Sequence, residues 1–277
     1  MSLKLMYITN STEIAKIAED AGVDRIFVDM EYIGKSIRQG GMDTVQSSHT
    51  IEDISNIRKV ISKAELLVRC NPIHDRTIEY MGTESEIKAI IQAGADVIML
   101  PYFKTANEVK RFISAVDGRS KTMLLFESPE SIENINEILS CDGIDEVYIG
   151  LNDLSLGYKK KFMFEILADG TVEKICRAFN ERKLPYGFGG IASLGKGDLP
   201  SEHVIMEHCR LGSTCAILSR SFCNTSIITD IEEIKNTFSK GIEEIRNYEE
   251  LCQESANKWE DNRILTADII AEIVSKR

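Results

Sequence analysis

The chain has 277 residues, 43% of them hydrophobic, enough to bury one large core and to make a single main domain the expectation. A formal net charge of −11 and a pI near 5.0 argue against nucleic acid or an anionic membrane as partner, and favour chemistry on small molecules. The seven cysteines are scattered, odd in number and never spaced Cys-x-x-Cys. That argues against a disulfide framework and a structural zinc site and reads as reduced thiols. No basic-then-apolar leader opens the chain and no apolar run approaches the ~20 residues of a membrane helix, so a soluble cytoplasmic protein is expected.

Short apolar runs alternate with helical patterns along the chain. The strand candidates are Leu3–Tyr7, Arg25–Asp29, Glu65–Arg69, Asp96–Pro101, Thr122–Phe126, Glu146–Ile149, Tyr186–Phe188 and Thr214–Leu218. All are rich in Ile, Val, Leu and Phe without strict alternation, the pattern of parallel strands buried on both faces. Helices are expected at about 12–22, 50–62, 84–94, 105–115, 129–139, 170–182, 201–210 and 229–249, several with start signals such as Ser11-Thr12-Glu13. Eight strand–helix units in order predict an α/β fold, a (β/α)8 TIM barrel over residues 1–249. The competing doubly wound sheet would carry a glycine-rich first turn, and Tyr7-Ile8-Thr9-Asn10 stands there instead.

Three segments exceed what a barrel needs. Residues 33–48 and 71–83 form long connections after strands two and three and are candidate lids over the active-site face. The third, residues 250–277, places Trp259, Ile264, Leu265, Ile269, Ile270, Ile273 and Val274 on a helical extension. Such a stripe must be covered, either by the chain's own outer helices or by a neighbouring subunit.

Glu127 and Asp153 each follow an apolar run, in Phe126-Glu127-Ser128-Pro129 and Tyr148-Ile149-Gly150-Leu151-Asn152-Asp153. On adjacent parallel strands both sit at carboxyl ends, where barrels build their sites, and two converging oxygen ligands suggest a hard divalent cation. Capping of the helices that follow is the competing explanation for each. Arg69 ends strand three. The glycine-rich run Tyr186-Gly187-Phe188-Gly189-Gly190-Ile191, with Ser219-Arg220-Ser221 after strand eight, occupies the place where barrels often bind phosphate; a tight turn accounts for the glycines equally well. Lys35, Arg38 and Lys159-Lys160-Lys161 read as solvated charges, and His203 and His208 as structural.

The order and spacing of Ala21-Gly22-Val23-Asp24-Arg25-Ile26-Phe27-Val28-Asp29-Met30-Glu31, Leu67-Val68-Arg69, Ala93-Gly94-Ala95-Asp96-Val97-Ile98-Met99-Leu100-Pro101, Phe126-Glu127-Ser128 and Gly143–Ser155 resemble the HpcH/HpaI aldolase family, over about residues 10–220. The resemblance implies a phosphoenolpyruvate/pyruvate-type barrel that exchanges its last helix between subunits, in dimers or trimer-of-dimers hexamers. It implies that Glu127 and Asp153 hold Mg²⁺, Mn²⁺ or Co²⁺, that Arg69 contacts the keto oxygen of pyruvate and stabilises its enolate, and that the amides of Gly150, Leu151, Asn152 and Asp153 bind the pyruvate carboxylate. Arg220 is a candidate for a substrate anion.

One departure stands out. The family pattern after strand two is Asp-x-Glu-His, with the histidine as acid/base, and this chain reads Asp29-Met30-Glu31-Tyr32. Three repairs are open: Tyr32 with Asp29 takes over the relay, His74 or His49 enters from an inserted loop, or the chemistry no longer needs that base. The expected function is therefore a metal-dependent carbon–carbon lyase, an aldolase joining or cleaving a pyruvate enolate and an aldehyde. The alternatives are a keto-acid-binding barrel without aldolase activity, or a related phosphoenolpyruvate or thioester lyase reaction.

Overall fold

The computed structural model describes residues 2–34 and 49–277. Eight parallel strands close in sequence order into one barrel. They are β1 (Lys4–Ile8), β2 (Arg25–Asp29), β3 (Glu65–Arg69), β4 (Val97–Leu100), β5 (Lys121–Phe126), β6 (Glu146–Ile149), β7 (Tyr186–Ile191) and β8 (Cys215–Leu218). The outer layer comprises α1 (Thr12–Asp20), α2 (Ile51–Val60), α3 (Thr83–Gln92), α4 (Ala106–Val116), α5 (Pro129–Glu133), α6 (Ile135–Ile138), α7 (Leu151–Gly157), α8 (Glu165–Ala168), α9 (Thr171–Glu181), α10 (Ser201–Leu211), α11 (Ile231–Glu254) and α12 (Trp259–Ser275). The TIM barrel expected from the alternation is the observed fold.

Strand residues divide between two cores, which is why the strand runs lack alternation. Met6, Phe27, Leu67, Met99, Met123, Leu125 and Tyr148 fill the barrel interior. Their neighbours, such as Leu5, Ile26, Val28, Val68 and Leu124, face the helices in a second, larger core. Helix starts are fixed by side chains: Thr50 with Asp53, and Thr105 with Glu108, form reciprocal capping boxes.

Two differences from the sequence reading concern helices. The expected helix 129–139 breaks at Asn134, whose backbone (φ −95°, ψ 12°) leaves the helical region and separates α5 from α6. The short α7 and α8 follow β6 between the expected helices 129–139 and 170–182, their few residues giving no periodic signal. Strand β7 runs three residues further than expected, to Ile191, because a register shift against β8 between Gly187 and Gly190 lets the glycine-rich segment stay in the sheet.

The strand starts are plugged by charge. Arg25 is fully buried and donates from Nε to Glu65 Oε2 (2.7 Å) and from Nη1 and Nη2 to Glu146 (2.7 and 2.5 Å). Lys121 adds a 2.6 Å bond to Glu65. This network closes the end of the barrel opposite the strand termini that carry Arg69, Glu127 and Asp153.

The tail begins on α11, which runs to Glu254 and so passes the expected barrel boundary. After a 3-10 turn, α12 lies against α8 and α10 of the same chain and buries Asn262, Thr266 and Ile270. Asn262 pairs with His203 Nδ1 (2.8 Å) and donates to Glu207 Oε1 (3.0 Å). On its other side Ile264 and Leu265 are about half exposed. Among the described residues no helix is long and apolar enough to cross a membrane.

Candidate active site

Arg69 stands at the end of β3, beside the end of β2, because the two strands pair with Asp29 opposite Arg69. Its Nε and Nη2 donate to Asp29 Oδ1 and Oδ2, both at 2.8 Å, and Nη1 lies 3.3 Å from Glu31 Oε2. A forked guanidinium–carboxylate pair of this kind fixes direction as well as charge. Burial opposes charging of Arg69, but Asp29, Glu31 and Glu127 outweigh it and raise its pKa further.

Across the barrel mouth Glu127 follows β5 and Asp153 lies in the first turn of α7, after β6. Both are buried, at 4% and 8% exposure. Glu127 Oε1 accepts the backbone N–H of Tyr102 (3.1 Å), and Tyr102 adopts a left-handed backbone (φ 48°). A non-glycine residue held there carries a conformational cost. Asp153 Oδ1 accepts from Asn152 Nδ2 (3.2 Å). Gly150 separates the two carboxylates: a Cβ there would come within 2.8 Å of Glu127 Cβ and Oε2, so this position must be glycine for Glu127 to keep its place. Among the described residues no side-chain cap closes the start of α7.

Arg69, Glu127 and Gly150 through Asp153 line one cavity of about 260 Å³, walled by Phe27, Met99, Leu125, Tyr148 and Met163. Tyr148 holds its far wall by donating to the Gly189 carbonyl and accepting the Ile217 N–H (3.0 Å). A second cavity, about 240 Å³, adjoins it across Arg69, Ile217 and Ser219; Tyr7, Asp29, Arg220, Asn224, Thr225 and Ser226 line it. Arg220 thus stands next to the carboxylate cavity rather than in it.

The candidates for the acid/base role separate sharply. Tyr32 lines neither cavity; it is 47% exposed and its ring rests 5.4 Å from that of Tyr80. Burial, then Glu86 and Tyr80, raise the Tyr32 pKa, away from what a base requires. His74 also lines neither cavity. Its Nδ1 sits 2.7 Å from the Pro72 carbonyl and its Nε2 2.6 Å from that of Met81, so the ring ties down the 71–83 loop. His49 does reach the end of β2: the Asp29 N–H donates to its Nδ1 (2.9 Å), which makes Nε2 the protonated nitrogen of the neutral ring. Lys35, Arg38 and most of the 33–48 lid segment lie outside the described residues.

The sequence reading missed Tyr102, and it missed Asn71 and Glu86. Asn71 Oδ1 accepts the N–H groups of Tyr32 and Ile33 (both 3.0 Å) while its amide donates to Glu86 (2.7 Å). Only the apolar neighbourhood of Glu86 in α3, visible as a carboxylate on a helix's buried face, could have signalled this.

The donor set fits a hard divalent ion. Two buried carboxylates face one cavity whose cation, Arg69, is already engaged by Asp29 and Glu31. Among the described residues no three His, Cys, Asp or Glu side chains converge as a ligand cluster, so two carboxylates would leave the rest of the shell to water and substrate, as Mg²⁺ sites commonly do.

Comparison with known proteins follows the same direction. The family model for HpcH/HpaI aldolase/citrate lyase matches residues 4–179. A 2-keto-3-deoxy-L-rhamnonate aldolase of Escherichia coli O17:K52:H18 is 23% identical over 186 residues, 55% of this chain and 62% of that protein. The Klebsiella pneumoniae protein of that name is 25% identical over 182 residues, 54% of this chain and 60% of its own. The chain therefore spans about three fifths of the curated relatives it matches. Among solved structures, an HpcH/HpaI aldolase from Desulfitobacterium hafniense superposes with a TM-score of 0.61 at 16% identity, covering 84% of this chain and 93% of that one. Citrate synthase SbnG does so at 0.61 and 14%, covering 85% and 94%. With the matched segment spanning β1 to α9 and carrying Arg69, Glu127 and Asp153, the chain belongs to the HpcH/HpaI aldolase/citrate lyase family.

Proposed function

We propose that this protein is a metal-dependent carbon–carbon lyase, an aldolase that acts through the enolate of pyruvate with an aldehyde as acceptor. The observation that carries the reading is the convergence of buried Glu127 and Asp153 with Arg69 on one cavity of about 260 Å³. Glu127 and Asp153 would hold Mg²⁺, Mn²⁺ or Co²⁺. When bound, such an ion supplies Lewis-acid polarisation of the keto oxygen and compensates the two carboxylates.

The chain's own groups do the rest. Arg69 brings a fixed cation to the oxygen on which charge develops, and Asp29 with Glu31 keeps it from turning away. The first-turn amides from Gly150 to Asp153 orient the keto-acid carboxylate, and the apolar wall from Met99, Leu125 and Met163 excludes water. Arg220 and the hydroxyls of Ser219, Thr225 and Ser226 give the adjoining cavity a polar lining suited to an anionic or hydroxylated acceptor tail. The relatives named 2-keto-3-deoxy-L-rhamnonate aldolase act, by that name, on a hydroxylated keto acid. A homo-oligomer belongs to this reading, with the exposed Ile264 and Leu265 of α12 as apolar contact surface and exchange of that helix as one way to cover them. So does a cytoplasmic location, consistent with seven free thiols.

A second reading is a keto-acid-binding barrel without aldol chemistry, favoured by the positions of Tyr32 and His74 outside both cavities. Pyruvate release from 2-keto-3-deoxy sugar acids, followed by coupling to lactate dehydrogenase, separates the two. The aldolase reading requires release that depends on added Mn²⁺, Mg²⁺ or Co²⁺ and falls at least about 10²-fold in Glu127→Gln and Asp153→Asn. Release that survives chelation, or both substitutions, would overturn it; pyruvate binding with no release from any such acid leaves the binding barrel.

A further inference from the structure

Glu86 lies on the buried face of α3, 3% exposed, in a helix whose Ile87 and Ile90 are fully buried. Its Oε1 accepts twice from Asn71, from the backbone N–H (3.2 Å) and from Nδ2 (2.7 Å). Among the described residues its Oε2 makes no hydrogen bond and has His74 Nε2 3.9 Å away. Burial raises the Glu86 pKa, so the surroundings oppose the charge. A carboxylate kept under these conditions costs stability, since burying a polar group is unfavourable wherever its hydrogen bonds are incomplete. What Glu86 gives in return is the orientation of Asn71.

Asn71 is 2% exposed and stands two residues beyond Arg69, the last residue of β3. Its amide fits in one orientation: Oδ1 accepts the N–H groups of Tyr32 and Ile33, both at 3.0 Å, while Nδ2 donates to the carboxylate. The side chain thus crosses from the end of β3 to the segment that leaves β2. In that segment Glu31 is 1% exposed; its N–H donates to Asp29 Oδ1 (3.2 Å) and its Oε2 lies 3.3 Å from Arg69 Nη1. Asn71 therefore pins the two peptide units that directly follow the residue whose carboxylate faces Arg69. Releasing them would free the chain on the far side of Glu31 and leave its anchorage to Asp29, the carboxylate that Arg69 already engages.

We propose that Asn71 and Glu86 are positioning residues, a strut from α3 through the end of β3 that sets Glu31 against Arg69 and so aims the guanidinium at the cavity. The inference rests on Arg69's proposed place at the enolate oxygen. Neither Asn71 nor Glu86 is among the described residues that line the cavity, and Glu127 and Asp153 come from elements that follow β5 and β6. Loss of the strut should therefore act on the enolate and spare the metal. A misplacement of ~1 Å, set up away from the chemistry, is enough to cost about 10²-fold in rate.

Asn71→Ala, Glu86→Ala and Glu86→Gln test the strut through proton exchange at pyruvate C3 with Mn²⁺ saturating. Exchange should fall more than about fivefold in both alanine variants, mostly in kcat, while Mn²⁺ affinity by calorimetry stays within about threefold of wild type. Glu86→Gln keeps an acceptor for Asn71 and should recover most of what Glu86→Ala loses. Crystal structures of the alanine variants give a second readout, in which Glu31 Oε2 is expected to leave Arg69 Nη1. Should Asn71→Ala not fold, Glu86→Ala, which leaves the bonds from Tyr32 and Ile33 to Asn71 available, carries both readouts. A smaller loss of exchange would overturn the proposal, as would exchange and Mn²⁺ affinity falling together, or Glu31 still at its 3.3 Å contact. Absence of exchange in the wild-type protein with any divalent metal would instead overturn the enolate reading, and the Glu31–Arg69 separation in the variants would then decide the strut by itself.

Discussion

Glu19, at the end of α1, gathers the chain just before the strand that carries Arg69. Its Oε1 accepts the backbone N–H groups of Ser62, Lys63 and Ala64 at 2.6, 2.6 and 2.9 Å, and Lys16 Nζ meets Oε2 at 3.0 Å. Replacing it by Gln keeps size and acceptor but removes the charge. Hydrogen bonds to a charged group contribute roughly 1.5–3 kcal/mol against about 1 for a neutral one, so three bonds predict a loss of about 2–3 kcal/mol at neutral pH. For a chain of this length that corresponds to a fall in Tm of roughly 5 °C. Burial would raise the Glu19 pKa, but the three amides and Lys16 outweigh it and hold the carboxyl at about 2, against 4.5 unperturbed. A folded-state pKa that is depressed gives stability present above the unfolded value and lost as pH falls toward the folded one. The Tm difference between wild type and Glu19→Gln, followed by circular dichroism, should therefore be constant above about pH 5 and shrink steadily between about 4.5 and 2. A difference below about 1 °C at pH 7, or one that does not change across that window, would mean that the Glu19 charge does not hold this turn.

Three further outcomes follow from the geometry. Arg25→Met should cost about 3–5 kcal/mol in urea unfolding because Glu146 is left charged and buried, whereas Lys121→Met, at the solvated rim, should cost under about 1; equal costs would count against the plug. Gly150→Ala, whose backbone (φ −81°, ψ 90°) suits alanine but whose Cβ would lie 2.8 Å from Glu127, should keep its Tm within about 3 °C while Mn²⁺ binding by calorimetry weakens about tenfold or more; unchanged binding would clear Gly150 of that role. Tyr32→Phe should leave pyruvate-releasing activity within about threefold, while a drop of 10²-fold would return Tyr32 to the proton relay.

The barrel was legible because parallel strands buried on both faces must be written as apolar runs, and each run here is followed by a helix with a readable start. The positions of Arg69 and Glu127 were legible for a related reason: a charge that ends such a run has only the barrel mouth to occupy, and Asp153 follows from the short turn after β6. Arg25 escaped notice because a charge that begins a run looks like a solvated boundary, and its partners Glu65 and Glu146 come from β3 and β6. The left-handed Tyr102 follows Pro101 in a sequence with no glycine to announce the turn. His49 and His74 could not be ranked from spacing alone. His74 is five positions from Arg69 but is turned onto two carbonyls, while His49, twenty positions from Asp29, returns to its amide.

Proton exchange at pyruvate C3 in deuterium oxide, read by proton NMR, tests whether this cavity generates a pyruvate enolate whatever the acceptor. Loss of the methyl signal that requires a divalent metal and vanishes in Arg69→Ala is the predicted result. No exchange by the wild-type protein with Mg²⁺, Mn²⁺ or Co²⁺ would contradict it.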